Sequence, residues 1–495
     1  MLTETQFKQY AANGYNRIPL AIELLADLET PLSTYLKLCD QPYSFLLESL
    51  QGGETWGRYS ILGLPCKNRL EISGKDARYF GELGLINDCA TDDPLETVRE
   101  YQSRYRVPEI DELPRFSGGL VGYFGYNTIN AIEPRVGNMA ATDPIGAPDI
   151  LLMLAEELVI FDNLSGRLSL IVHASTDVEN GYGIASKRLE KLATMLHQPM
   201  TEQPQYVSPT AESKGTVTSS FAEEDFKAGV NRCLEYIKAG DVFQVVLSQR
   251  LCTDFNARPI ELYRALRTLN PSPYMFFMNL GDFQIASSSP EILVRSLDNE
   301  VTVRPIAGTR PRGATLSEDE QLAAELLADP KELAEHLMLI DLGRNDIGRI
   351  AKIGSVKLTN KMTIEKYSHV MHIVSNVVGE LSENLDAIDV LKATFPAGTL
   401  SGAPKVRALE IIEELEPEQR GIYSGAIGYL GWHGNMDTAI AIRTAIIRDK
   451  KVYVQAGAGI VADSIPESEW QETLNKAKAI LTAVEMVNHG LHKPI

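Results

Sequence analysis

The spacing of apolar positions changes several times along the chain. In the first 196 residues, short apolar runs of β character prevail: SFLLES (44–49), YSILGLP (59–65), and the pair LVIFD (158–162) and RLSLIVHA (167–174). The turn NLSG between the last two predicts a hairpin. Helical spacing interrupts these runs. One predicted helix opens at Asp93-Pro94, with proline at its first position, and carries Leu95, Val98 and Tyr105. Another covers 183–196, with Ile184, Leu189, Leu192 and Leu196 on one side.

Periodicity disappears over 197–220, HQPMTEQPQYVSPTAESKGTVTSS, which reads as an exposed linker. It divides the chain into an N-terminal lobe (1–196) and a C-terminal lobe (221–495). In the second lobe, Phe226, Val230, Cys233 and Ile237 fall at helical spacing before a glycine stop, and DVFQVVLSQRL then turns to a strand pattern. QIASSSP and NEVTVRPIAG add strands, while 318–342 and KVRALEIIEEL (405–415) are helical. GAIGYLGW, TAIAIRTAII and KVYVQAG predict consecutive antiparallel strands, and a helix over 467–487 closes the chain. Strands do not alternate strictly with helices, so the pattern predicts an α+β fold rather than a parallel doubly wound sheet. No internal repeat is visible in the sequence.

Composition narrows the classes. At 44% hydrophobic and 23% charged residues, the chain has the make-up of a soluble globular protein. The 66 acidic and 47 basic residues give a net charge of −19, which speaks against nucleic acid as a partner. An anionic substrate would have to be held by local cations against that field. The five cysteines, Cys39, Cys66, Cys89, Cys233 and Cys252, are scattered and form no CxxC pair, so neither a disulfide framework nor a zinc knuckle is expected. The first residues, MLTETQFKQY, lack the apolar core of a secretory signal, and no run reaches the roughly 18 apolar residues of a membrane helix. A cytoplasmic protein is expected.

Two acidic pairs stand out. Glu332 and Glu335 follow Asp329-Pro330, and Glu469 and Glu472 share the same spacing in the last helix, with Lys476 four residues further on. Each pair shares a helix face and could serve a hard cation such as magnesium, although acids near a helix start more often face solvent. His336 has no partner at zinc spacing. GAGIVA (457–462) matches GxGxxA but runs into Asp463 to Pro466 where a dinucleotide fold needs a helix; glycines that permit a close backbone approach are the plainer reading. GTLSGAPK (398–405) lacks the lysine placement of a phosphate loop and leaves a set of donors suited to a carboxylate. His369 and His372 sit among apolar neighbours, where a satisfied core histidine is the commoner arrangement. Arg443 interrupts the apolar run AIAIRTAII, and a charge there is costly unless it has work to do.

Taken in order, RPIAGTRPRG (304–313), AEHLMLIDLGRND (334–346), YSHVMH (367–372), FPAGTLSGAPK (395–405), YSGAIGY (423–429) and QAGAGIVADS (455–464) are more specific than any one of them. With the N-terminal GYNRIP and LLES, they resemble the large subunits (component I) of anthranilate synthase, within the chorismate-utilising enzymes, over nearly the whole chain. That resemblance implies an α+β fold built as a two-layer antiparallel β-sandwich flanked by helices, with strands from both lobes. It also implies a reaction in which chorismate is aminated at C2, loses its C4 hydroxyl, and releases pyruvate to leave anthranilate.

The resemblance assigns roles residue by residue. Glu335 and Glu472 would hold Mg2+, assisted by Glu332 and Glu469. Arg443, Tyr423 and the backbone of Gly457, Ala458 and Gly459 would hold the enolpyruvyl carboxylate. Gly308, Thr309 and Thr399 would line the site, with Lys476 beside them, and His372 rather than His369 would serve pyruvate elimination. Relatives that add water carry a lysine where this chain has Gln244, which points to ammonia as nucleophile. The para-aminobenzoate branch carries a lysine where this chain has Ala307, which leaves an aminodeoxychorismate synthase-like enzyme as the alternative. Glu48, Ser49, Pro273, Tyr274 and Met275 match an allosteric tryptophan pocket, and a non-catalytic sensor of aromatic ligands is a further alternative that two glutamate pairs would not require. With no cysteine in a glutaminase-like motif, ammonia would come from a separate amidotransferase, component II, in a heterotetramer of two large and two small subunits.

Overall fold

The computed structural model describes residues 2–50, 57–136, 142–200, 216–367 and 370–491. Among these residues the strands form two antiparallel sheets of twelve strands each. The first runs from Arg17–Leu25 through Arg167–Ser175, Glu157–Asp162, Tyr59–Gly63 and Ser44–Glu48. It continues through Tyr274–Asn279, Gln284–Ser289, Thr444–Arg448 and Lys451–Ile460 to Gln244–Asp254. The second runs from Ile306–Pro311 through Val370–Glu380, Glu300–Val303, Ile292–Leu297, Met436–Ile440 and Ala426–Gly431. It ends with Gly119–Phe124, Ile150–Ala155, Arg69–Ser73, Asp76–Gly81 and Gly84–Ala90.

Both lobes build both sheets. They join where Leu47 pairs with Phe276 in the first sheet and Gly122 with Gly428 in the second. Each lobe follows one path: a strand near one end of the first sheet, two central strands, an excursion into the second sheet, two returning strands, and a long helix. That helix is Gly181–Leu196 in the first lobe and Pro466–Asn488 in the second. The repeat is therefore topological. It leaves no trace in the sequence because a buried strand needs only apolar filling of suitable volume, which many residue combinations supply.

Three apolar layers hold the fold. Phe45, Val121, Met153, Ile285, Ile427 and Ile446 fill the space between the sheets. Phe7, Leu189, Leu262 and Ile480 belong to helices packed on the outer face of the first sheet, and Leu95, Ile340 and Ile388 to helices on the outer face of the second. Strands covered on both sides read as unbroken apolar runs. In YMFFMN, Phe276 and Met278 enter the inter-sheet core while Met275 and Phe277 enter the helix-side core, as a period of two requires.

Three expectations need correction. The stretch 318–342 is two helices, Leu316–Ala328 and Pro330–Gly348. Asp329 is extended between them and its carboxylate caps the amides of Lys331 and Glu332. TAIAIRTAII is not one strand. Met436–Ile440 belongs to the second sheet and Thr444–Arg448 to the first, so 441–443 carries the chain between layers, with Arg443 in the left-handed region at φ 49°. Of the linker, 201–215 lies outside the described residues, and Thr218–Ser219 already pairs with Leu251 and Cys252.

Candidate active site

Two helices bring the glutamates together. Pro330 and Pro466 each occupy the first turn of their helix, setting Glu332 and Glu335 one turn apart on one, and Glu469 and Glu472 on the other. Strand Ile306–Pro311 runs beside them: Arg310 donates to Glu332 at 3.1 Å and to Asp329 at 2.8 Å. Gly308, at φ 69°, tightens this approach, since a Cβ there would lie 3.1 Å from Glu332 Oε2. Burial holds Glu335 above the usual carboxylate range; the charges on Glu332 and Glu472 push it further, against Lys476 and Lys331. Glu469 is also raised, by burial first, with Glu472 adding and Ser464 opposing. A divalent cation would relieve that repulsion, and the oxygen donors have the right hardness for magnesium. Among the described residues no three acidic, histidine or cysteine side chains close on one point as a cage. Carboxylates from two helices that repel one another suit an ion that keeps waters and shares a substrate oxygen rather than a closed cage.

Lys476 joins this acidic cluster to a cationic one. Its ammonium lies 2.6 Å from Glu472 and donates to the Gly457 carbonyl at 2.9 Å. Arg443 donates to the carbonyl of Lys476 and, among the described residues, has no carboxylate within 4 Å. Burial lowers its pKa, with Tyr423 and Glu472 opposing. A half-buried cation so placed is a site for an incoming anion. The buried Tyr423 hydroxyl, pushed up to about 12 chiefly by burial, stays protonated beside Gly457, where a Cβ would approach it to 3.0 Å. Gly459 gives similar room to Gln244, whose Nε2 would lie 2.6 Å from a Cβ. On the ladder, Gly457 stands opposite Ser248, Ala458 opposite Leu247 and Gly459 opposite Val246. Gln244 Oε1 is buried without a hydrogen-bond partner among the described residues.

His372 stands opposite Thr309, and its Nδ1 lies 3.0 Å from both the Gly308 carbonyl and the Thr309 hydroxyl. A proton on Nδ1 directed at Gly308 leaves Nε2 as the basic nitrogen. Burial lowers the pKa of the ring, with Gly308 and Glu365 opposing and Arg443 adding to the fall, so the ring is neutral at pH 7. His369 lies outside the described residues. Thr399 donates to Glu291 Oε1 at 3.0 Å. Glu291 was not singled out in the sequence. Burial pushes its pKa up to about 8, against Thr399 and Lys476, so it holds a proton at neutral pH. The signal was SSSPEILV, where an acid interrupts two apolar runs, and the cost-of-burial argument applied to Arg443 would have found it.

The residues expected to bind tryptophan gather elsewhere. Glu48, Ser49, Pro273 and Tyr274 line a cavity of about 380 Å³ between the lobes, closed on another side by Arg295 and Asp437. Tyr274 donates to Asp437 at 2.9 Å, and Arg295 pairs with the same carboxylate at 2.7 Å. Met275 does not line this cavity; strand alternation turns it into the helix-side core. The carboxylate of Glu48 accepts from Tyr263 at 2.6 Å and from Arg267 at 3.0 Å, so it meets the cavity already paired.

Comparison with known proteins adds an independent finding. The family of chorismate binding enzymes matches residues 46–482. Anthranilate synthase component 1 of Pseudomonas aeruginosa is 54% identical over 500 residues, covering 99% of this chain and 100% of that protein. The protein of the same description from Neisseria meningitidis serogroup B is 56% identical over 497 residues, covering all of both. The crystal structure of anthranilate synthase component I from Streptococcus pneumoniae superposes with a TM-score of 0.77 at 38% identity, covering 92% of this chain and 99% of that one. The menaquinone-specific isochorismate synthase of Escherichia coli shares the fold, with a TM-score of 0.71 at 19% identity.

Proposed function

The chain belongs to the chorismate binding enzymes, among the anthranilate synthase component 1 proteins, and from that premise we propose how its residues turn chorismate and ammonia into anthranilate and pyruvate. Arg443, the Tyr423 hydroxyl and the backbone of Gly457, Ala458 and Gly459 hold the enolpyruvyl carboxylate. Magnesium held by Glu335 and Glu472, assisted by Glu332 and Glu469, would neutralise the ring carboxylate. Gly308 and Thr309 floor the site and Lys476 bridges its two charged clusters. Ammonia donates to the unpartnered Oε1 of Gln244 and attacks C2. Glu291, protonated and aligned by Thr399, gives its proton to the departing C4 hydroxyl. Neutral His372 then takes the C2 proton as pyruvate leaves. The observation that carries this reading is Arg443, a half-buried cation with no carboxylate partner among the described residues, left for an anionic substrate in a protein of net charge −19.

Ammonia comes from a component 2 glutamine amidotransferase, in an assembly of two large and two small subunits. Burial raises the thiols of Cys39, Cys66 and Cys233, the opposite of what a thiolate nucleophile needs. Tryptophan in the 380 Å³ cavity acts as feedback inhibitor, its indole on Tyr274 and its charged groups near Glu48, Ser49 and Pro273. Among the described residues no helix is long and apolar enough to cross a membrane; the reaction belongs in the cytoplasm. The test is a fluorescence assay with chorismate and ammonium. Anthranilate should appear with magnesium and vanish on chelation, and output unaffected by chelation would remove the metal from the reading.

A further inference from the structure

Among the described residues, Glu416 and Arg420 form the most enclosed ion pair of the second lobe, four residues apart in the non-helical connection EPEQRG, at 2.6 Å with both side chains 1% exposed. Neither lies in the metal cluster, and of the proposed substrate contacts the guanidinium meets only the ring of Tyr423, 5.6 Å from its centre. Their remaining bonds all go to segments that carry site residues. Arg420 Nη1 donates to the Leu400 carbonyl at 2.7 Å, and Leu400 follows Thr399. Arg420 Nη2 donates to the Val246 carbonyl at 2.7 Å, on the strand that begins at Gln244. Glu416 Oε1 accepts from the amide and the hydroxyl of Ser248 at 2.8 Å each, further along the same strand. The guanidinium keeps its charge: burial opposes it, but Glu416 and the nearby Tyr126 and Tyr423 more than compensate.

A buried ion pair usually contributes little net stability, because desolvation offsets the attraction, and apolar replacements of both partners are often tolerated. The geometry here points to another use. The planar guanidinium reaches two carbonyls and one carboxylate at fixed angles, which no lysine can do. We propose that Arg420, held by Glu416, is a positioning residue that sets the Thr399 turn against the Gln244 strand. It thereby aligns the Glu291 proton and the Gln244 acceptor for amination. His372, Gly308 and Thr309, which serve pyruvate elimination, stand on strands this clamp does not touch, so losing it costs amination more than elimination. The inference rests on the reaction proposed above.

The test compares two half-reactions in Arg420→Lys and in the paired replacement Arg420→Met with Glu416→Leu. One assay follows anthranilate from chorismate and saturating ammonium; the other follows pyruvate released from the aminated, pyruvate-bearing intermediate supplied directly. Turnover in the first should fall at least about tenfold, while the second stays within about twofold of the parent. A merely structural pair would lower both together, and that result overturns the proposal, as does a folded paired replacement with parental rates in both. Failure of both variants to fold would make the pair a stability element and equally refute it. If the parent itself makes no anthranilate from chorismate and ammonium, the reading of the reaction has failed instead.

Discussion

Replacing Glu291 with glutamine keeps the side-chain size but removes the proton, and the consequence for stability follows from its surroundings. In the unfolded chain the carboxyl titrates near 4.5; in the fold, burial moves it to about 8. Between those values the unfolded chain is ionised while the folded protein must hold a proton. Stability present below pH 4.5 is therefore lost as pH rises towards about 8, by about 1.36 kcal/mol per pH unit. Glutamine does not titrate, so the variant lacks this slope. Between about pH 5.5 and about pH 7.5, Glu291→Gln should gain about 2 to 3 kcal/mol on the parent, whatever its constant offset. Urea unfolding of both proteins at the two pH values measures the change in the gap. Anthranilate formation should fall by about 10² to 10⁴-fold in the same variant, since the proton for the leaving hydroxyl is gone. A gap that does not change with pH would mean that Glu291 is ionised in the fold and cannot be the donor.

Glu335→Ala and Glu472→Ala should each abolish synthesis with little change in melting temperature, because Glu335 is held among like charges and gains no stability from them; activity that survives in excess chelator would refute the assignment. His372→Met should accumulate the aminated intermediate that still bears pyruvate, detected by mass spectrometry, and unaltered anthranilate output would sink its role. Ser49→Phe should fill part of the 380 Å³ cavity and raise the tryptophan concentration for half-inhibition at least about tenfold, a loss of about 1.4 kcal/mol, without changing turnover in its absence. Parental sensitivity to tryptophan would place the inhibitor elsewhere.

How much of this was legible depends on what each residue's neighbours reveal in one dimension. The two glutamate pairs were readable because helical spacing alone puts i and i+3 on one face. Arg443 was readable as a misplaced charge, but not its position, because AIAIRTAII stays apolar while the chain changes sheets and only the left-handed backbone at Arg443 marks the crossing. Met275 was assigned to the tryptophan pocket with the rest of PYM by the family resemblance, although a strand sends Tyr274 and Met275 to opposite faces. The Glu416–Arg420 pair was hidden for a different reason: EPEQRG has the composition of a solvated turn, and only the packing of the Lys405–Leu415 helix against strand Gln244–Asp254 buries it. The two halves repeat a topology that apolar filling does not record.

The central claim is that this site adds ammonia at C2 of chorismate and then expels pyruvate. Incubating the chain with chorismate, magnesium and ¹⁵N-ammonium, and identifying the products by chromatography and mass spectrometry, tests it directly. Gln244 in place of a water-activating lysine, and Ala307 in place of an amine, predict labelled anthranilate and pyruvate in equal amounts. An amino group at C4, or an unlabelled hydroxylated product, would contradict the account.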